Sequence, residues 1–153
     1  MQETEKRTAA IVARFAGVEG ATLPILHAVQ EAFGHVPRDA IPVIAAALNR
    51  TRAEIHGVVS FYHDFREEPA GRHHVRVCRA EACRAMGSDR IVAGFEAALG
   101  IPLGTTSADG AVTLEPVYCL GLCATAPSAM IDGKPVGRLD EAAAARLARE
   151  IGR

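Results

Sequence analysis

Val75-Arg-Val-Cys78-Arg-Ala-Glu-Ala-Cys83 is the stretch on which the reading of this chain turns. Val75 and Val77 alternate with His74 and Arg76, the period of a strand with one buried face, and the strand runs straight into a cysteine. Cys83 completes a C-x4-C pair. After thirty-five intervening residues, Val117-Tyr118 leads into Cys119-Leu-Gly-Leu-Cys123, a C-x3-C pair. Each pair therefore follows an extended segment. If the two strands are neighbours in a sheet, their end loops bring four thiolates into one small volume, the ligand set of a tetrahedral zinc or an iron-sulfur cluster.

Working outward, the rest of the second half reads as a small sheet with helices on it. Ser88 to Leu99 places Ile91, Phe95 and Leu99 on one helical face and stops at Gly100. Val112 and Leu114 alternate as a strand does, and Met130 to Val136 reads as a hairpin turning at Asp132-Gly133. Asp140 caps a last helix carrying Leu139, Ala143, Leu147 and Ile151.

Upstream the period is helical throughout. Ile11, Val12 and Phe15 share a helix that stops at Gly17; Thr22 is expected to cap a second, with Pro24 in its first turn and Gly34 at its end. Ile41, Ile44, Ala45 and Leu48 mark a third, closed by Asn49, and Thr51 with Glu54 form a capping box ahead of Ile55, Val58, Val59 and Tyr62. Glu67-Glu68-Pro69-Ala70-Gly71 reads as the hinge. The expected architecture is α+β: a helical bundle over residues 1–70, then a small sheet with flanking helices over 71–153.

The 153 residues are 49% apolar and 23% charged, the composition of a globular chain rather than a disordered one. Seventeen basic against eighteen acidic side chains give a net charge of -1, a poor match to nucleic acid. Apolar runs such as Ile41 to Leu48 fall far short of the roughly 20 residues that span a bilayer, so no direct membrane insertion is expected. Met1-Gln-Glu-Thr-Glu-Lys-Arg has no secretory apolar core, which points to a cytoplasmic protein. In that compartment thiols stay reduced, and the four cysteines turn the question toward metal or redox chemistry.

Neither pair is the tight C-x2-C knuckle usual for zinc, and Gly121 between apolar neighbours lets backbone amides turn toward sulfur while water is kept away. Both features favour a 2Fe-2S cluster over structural zinc. Thiol exchange is disfavoured by the absence of C-x-x-C. Arg72, Arg76, Arg79, Arg84 and Arg90 near the first pair would balance a negative cluster. The adjacent His73 and His74 read as solvated edge residues, Glu67-Glu68 as a solvated hinge, and Phe61, Tyr62 and Phe65 as core.

Val77-Cys-Arg-Ala-Glu-Ala-Cys83 with Gly87-Ser88-Asp89, Thr113-Leu-Glu-Pro-Val117, and Cys119-Leu-Gly-Leu-Cys123 with Ala126-Pro127 together resemble the thioredoxin-like 2Fe-2S small subunits of NADH dehydrogenase (respiratory complex I) and related complexes. Phe33-Gly-His-Val-Pro37 and Ile55-His-Gly-Val-Val-Ser-Phe-Tyr62 are similar to the same family's N-terminal helices. The resemblance implies a four-helix region followed by a thioredoxin-like domain, and one 2Fe-2S cluster on Cys78, Cys83, Cys119 and Cys123. It also implies electron transfer without catalysis by the chain alone, and docking on a flavoprotein subunit that binds FMN and NAD. Its compact length makes it most similar to the gamma subunit of NAD-dependent formate dehydrogenase, with a larger molybdenum-dependent catalytic subunit as a further partner. The alternatives are the equivalent subunit of respiratory complex I or of an NAD-linked hydrogenase.

Overall fold

The computed structural model describes residues 3–152; Met1 and Gln2, at the head of the polar N-terminus, and Arg153 lie outside the described residues. The chain divides into two compact units, one ending at Pro69 and the other beginning at Ala70.

The first unit is helical: α1 (Glu3–Ala13), α2 (Thr22–Phe33), α3 (Ala40–Ala47) and α4 (Arg52–Phe61). Its core gathers Ile25, Leu26, Val29, Val36, Ile44, Ile55 and Val59, all essentially inaccessible to water. Burying each such side chain contributes about 1.5–3 kcal/mol. The capping box forms as expected, Thr51 Oγ1 accepting from the Glu54 amide at 3.1 Å while Glu54 Oε2 accepts from the Thr51 amide at 2.8 Å. The end of α3 is a complete Schellman motif: Asn49 takes a left-handed φ of 51°, its amide donates to the Ala46 carbonyl and the Arg50 amide to the Ala45 carbonyl. Thr22, by contrast, is the first helical residue rather than a cap; Ala21 precedes it without a side-chain bond. Of the three aromatics expected in the core, Phe65 is buried, whereas Tyr62 is 44% and Phe61 73% exposed. Phe61, the last residue of α4, lies off the face that buries Ile55 and Val59, while Tyr62 and Phe65 lie beyond the helix, where helical spacing no longer decides which way a ring faces.

The second unit is built on a sheet of order β2-β3-β1-β4-β5. Its strands are β1 (His73–Cys78), β2 (Thr105–Thr106), β3 (Val112–Val117), β4 (Ala129–Ile131) and β5 (Lys134–Val136). β1 and β3 are parallel, with Cys78 opposite Val117, and every other pairing is antiparallel. Pro116 is tolerated inside β3 because β2 pairs only as far as Leu114, leaving no strand on that side to receive the missing N–H. The hairpin turn is Asp132-Gly133, both left-handed (φ 49° and 77°). The helices are α5 (Glu81–Ala85), α6 (Ser88–Leu99) and α7 (Glu141–Ile151). Val75, Val77 and Leu114 pack with Ile91, Phe95, Ala144 and Ala148 in one core, and Asp140 caps α7 through the Ala143 amide at 2.7 Å.

This is an α+β, thioredoxin-like arrangement of a small mixed sheet with flanking helices. Sequence periodicity did not reveal α5, hidden within the C-x4-C spacing, or the two-residue β2. The histidine reading is corrected: β1 is the central strand, and its histidines meet acids on its neighbours. His73 Nδ1 lies 2.8 Å from Asp132 Oδ2 and His74 Nε2 lies 2.7 Å from Glu115 Oε2. Glu67 is likewise paired, with His56 at 3.0 Å. Among the described residues no helix is long and apolar enough to cross a membrane.

Candidate metal centre

Parallel pairing of β1 with β3 is what brings the cysteines together. Two adjacent parallel strands end at the same edge of a sheet, so the loops leaving Cys78 and Val117 start side by side. The backbone locks that edge: the Cys78 amide donates to the Ser128 carbonyl at 2.9 Å and the Arg79 amide to the Val117 carbonyl at 2.8 Å. α5 then carries Cys83 back toward the strand end, while a single 3₁₀ turn, Cys123–Thr125, carries Cys123. All four thiols are free of disulfides. Cys78 and Cys83 are buried, Cys119 and Cys123 exposed, and the latter two sulfurs stand 3.9 Å apart.

Backbone N–H groups converge on this edge. Cys119 has a φ of 91°, unusual for a residue with a side chain, and Gly121 a φ of 75°. These turns aim amides inward, the Gly121 amide donating to Cys119 Sγ at 3.4 Å. Burial pushes the Cys78 thiol up, but hydrogen bonds from the Ala80 amide, the Cys83 side chain and the Cys119 and Leu120 amides outweigh it and hold the thiol below its ordinary value. Cys123 moves the other way. The Cys119 side chain's hydrogen bond and charge, some burial, and the charges of Cys83 and Cys78 all push it up. The two directions have one cause: neighbouring thiols that interact this closely do not ionise independently.

This donor set fits an iron-sulfur cluster: four soft thiols, amides aimed at sulfur, one pair dry and one pair at the surface. Among the described residues no three His, Cys, Asp or Glu side chains are closed around the position of a single metal ion. The two pairs, Cys78 with Cys83 and Cys119 with Cys123, leave neighbouring strand ends at one edge and would together supply the four thiolates that a binuclear cluster takes.

The expected basic surround is only partly available. Arg79 Nη2 is bound to Asp89 Oδ1 at 2.6 Å, and Arg90 Nε lies 3.7 Å from Glu141. Arg76 reaches Met130 Sδ at 3.0 Å across the sheet. Arg84 on α5 is exposed. The Arg79 Nε is buried with no hydrogen-bond partner. One residue escaped the sequence reading altogether: Ser128, 1% exposed, whose Oγ lies 3.4 Å from Cys83 Sγ. No local pattern marks it, because the contact with Cys83 joins residues 45 apart in sequence.

Comparison with known proteins follows the same residues. The family described as thioredoxin-like [2Fe-2S] ferredoxin matches residues 8–152. A subunit of the NADH-quinone oxidoreductase of Pseudomonas aeruginosa is 40% identical over 127 residues, 83% of this chain and 76% of that one. The NADP-reducing hydrogenase subunit HndA of Solidesulfovibrio fructosivorans is 34% identical over 121 residues, 79% of this chain and 71% of that one. Among solved structures, an air-oxidized NAD+-reducing [NiFe]-hydrogenase superposes with a TM-score of 0.74 at 28% identity, over 86% of this chain. The match spans 23% of that hydrogenase chain.

Proposed function

The chain belongs to the thioredoxin-like [2Fe-2S] ferredoxin family, and from that premise we propose that it is an electron-transfer subunit of an NAD-linked oxidoreductase, exchanging single electrons with the FMN of a flavoprotein partner. The observation that carries the reading is the meeting of the two cysteine pairs at the common edge of parallel β1 and β3, inside a chain that matches the family over residues 8–152.

Cys78, Cys83, Cys119 and Cys123 would hold the cluster, which supplies a one-electron store when bound. The chain's own residues do the rest. Cys78 and Cys83, buried against the sheet edge, exclude water from one side. The amides of Ala80, Cys119 and Leu120 at Cys78, and of Gly121 at Cys119, disperse negative charge on sulfur. Exposed Cys119 and Cys123 leave the other side open to a partner. No bond is made or broken in the substrate by this chain, which therefore turns over neither formate nor NAD by itself.

The relatives' names include subunits of NADH-quinone oxidoreductases and of an NADP-reducing hydrogenase, which supports placing this chain beside an NAD-linked flavoprotein subunit. The finer placement, in a cytoplasmic NAD-dependent formate dehydrogenase with a molybdenum-dependent catalytic subunit, is supported by the sequence resemblance alone. Affinity purification of the tagged full chain from its native cell tests both levels. The expected product is a complex containing an FMN protein, in which formate reduces NAD. Hydrogen- or quinone-linked activity in its place would move the chain to a hydrogenase or to respiratory complex I, and failure to retain any flavoprotein would overturn the subunit role.

A further inference from the structure

We propose that Ser128 sets the electron affinity of the bound cluster through a hydrogen bond from its hydroxyl to the Cys83 sulfur. Ser128 Oγ and Cys83 Sγ are 3.4 Å apart, and the two residues are 1% and 2% exposed. With a thiol either atom is able to donate. Once Cys83 is a metal-bound thiolate it carries no proton, so the direction is fixed: the hydroxyl donates and sulfur accepts. The proton stays on oxygen throughout. When one electron enters from a reduced flavin, the cluster gains one negative charge and no bond is exchanged, and a donor aimed at sulfur stabilises the more negative state more strongly. Burial makes the effect specific, because residues 1% and 2% exposed are closed to bulk solvent and the low local dielectric strengthens the bond.

The sulfurs are served differently. Cys78 and Cys119 accept from backbone amides, which the fold supplies whatever the side chains are. At Cys83 the donor is a side chain, and so a determinant that substitution alters alone. The Ser128 backbone is held independently of its hydroxyl: its carbonyl accepts from the Cys78 amide at 2.9 Å, and the next residue, Ala129, opens β4 opposite Val77. Removing the hydroxyl therefore leaves the chain path in place. Ser128 is a positioning residue that acts through Cys83.

This inference rests on the cluster reading of the four cysteines, and the two fail differently. A wild-type chain that takes up no iron defeats that reading, whereas a loaded chain whose potential ignores Ser128 defeats this one. The test is a spectroscopically monitored redox titration of the full chain, reconstituted anaerobically with iron and sulfide, comparing wild type, Ser128→Ala and Ser128→Thr. Ser128→Ala is expected to lower electron affinity about tenfold, a fall of about 59 mV for a one-electron couple. Ser128→Thr keeps the hydroxyl and is expected to stay near wild type. An unchanged or raised potential in Ser128→Ala, or an equal fall in Ser128→Thr, overturns the proposal. Should Ser128→Ala not hold a cluster, hyperfine spectroscopy gives the answer on a reduced chain with 13C at serine Cβ, in which Ser88, the other buried serine among the described residues, is replaced by alanine so that a coupled carbon reports on Ser128. A serine carbon coupled to the cluster supports the contact, and no coupling refutes it.

Discussion

Gly137→Ala is expected to loosen the second cysteine loop without touching a cysteine. A Cβ at position 137 would stand 2.5 Å from Thr125 Oγ1, 2.8 Å from its Cβ and 2.9 Å from its carbonyl oxygen. The neighbours cannot easily retreat. The same carbonyl accepts from the Arg138 amide at 2.6 Å, and the Leu139 amide donates to the Pro127 carbonyl at 3.0 Å. Thr125 Oγ1 in turn donates to the Leu122 carbonyl at 3.2 Å, so a push on Thr125 is passed to the 3₁₀ turn that presents Cys123. Overpacking of this kind costs about 1–3 kcal/mol, and weakening one backbone bond adds about 1 kcal/mol, giving about 2–4 kcal/mol together. At about 4–8 °C per kcal/mol for a unit of this size, the melting temperature should fall by about 8 °C or more. Gly133→Ala is the control: its φ is 77° with nothing within 4 Å of the new methyl, so it bears left-handed strain alone. Thermal unfolding of the loaded protein, followed by far-ultraviolet dichroism and visible absorbance, reads both quantities. A Gly137→Ala chain as stable and as fully loaded as Gly133→Ala would refute the reasoning.

Two electrostatic outcomes follow from the ion pairs. Because Asp89 compensates the Arg79 guanidinium beside Cys78, Asp89→Asn should raise the reduction potential and Arg79→Gln should lower it, each by something on the order of tens of millivolts; equal shifts of one sign in a redox titration would contradict this. At Asp132, burial opposes the charged form, but hydrogen bonds from the His73 ring and the His74 amide, with the charge of both histidines, hold the carboxyl below its ordinary value of 3.8. A depressed folded value means that this stabilisation is complete above pH 3.8 and is lost as pH falls through the lower folded value. Acid unfolding of Asp132→Asn should therefore be flatter than wild type below that pH, and parallel curves would remove the role.

What the sequence made legible is what short-range physics controls. The alternation of Val75 with Val77, the Thr51–Glu54 box, Asp132-Gly133 and Gly100 all act within a few residues, and each stands where its pattern places it. Convergence of Cys78 with Cys119 was foreseeable only conditionally, since parallel pairing of β1 and β3 is a long-range fact. For the same reason the partners of His73, His74 and Arg79 were invisible: Asp132, Glu115 and Asp89 come from other elements. Ser128 illustrates the limit most sharply. Nothing local distinguishes it from any serine after a proline, and its meaning arises only when β4 sets it against Cys83.

Binding of one binuclear iron-sulfur cluster by Cys78, Cys83, Cys119 and Cys123 is what the proposed electron-transfer role stands or falls on. Its most direct measurement is metal and acid-labile sulfide analysis of the full chain purified without oxygen, in wild type and in Cys78→Ala, Cys83→Ala, Cys119→Ala and Cys123→Ala. About two irons and two sulfides per wild-type chain are expected, with a visible spectrum that bleaches on one-electron reduction and is lost or altered in every variant. A colourless wild-type chain holding one zinc and no iron, or four variants with unchanged spectra, would contradict it.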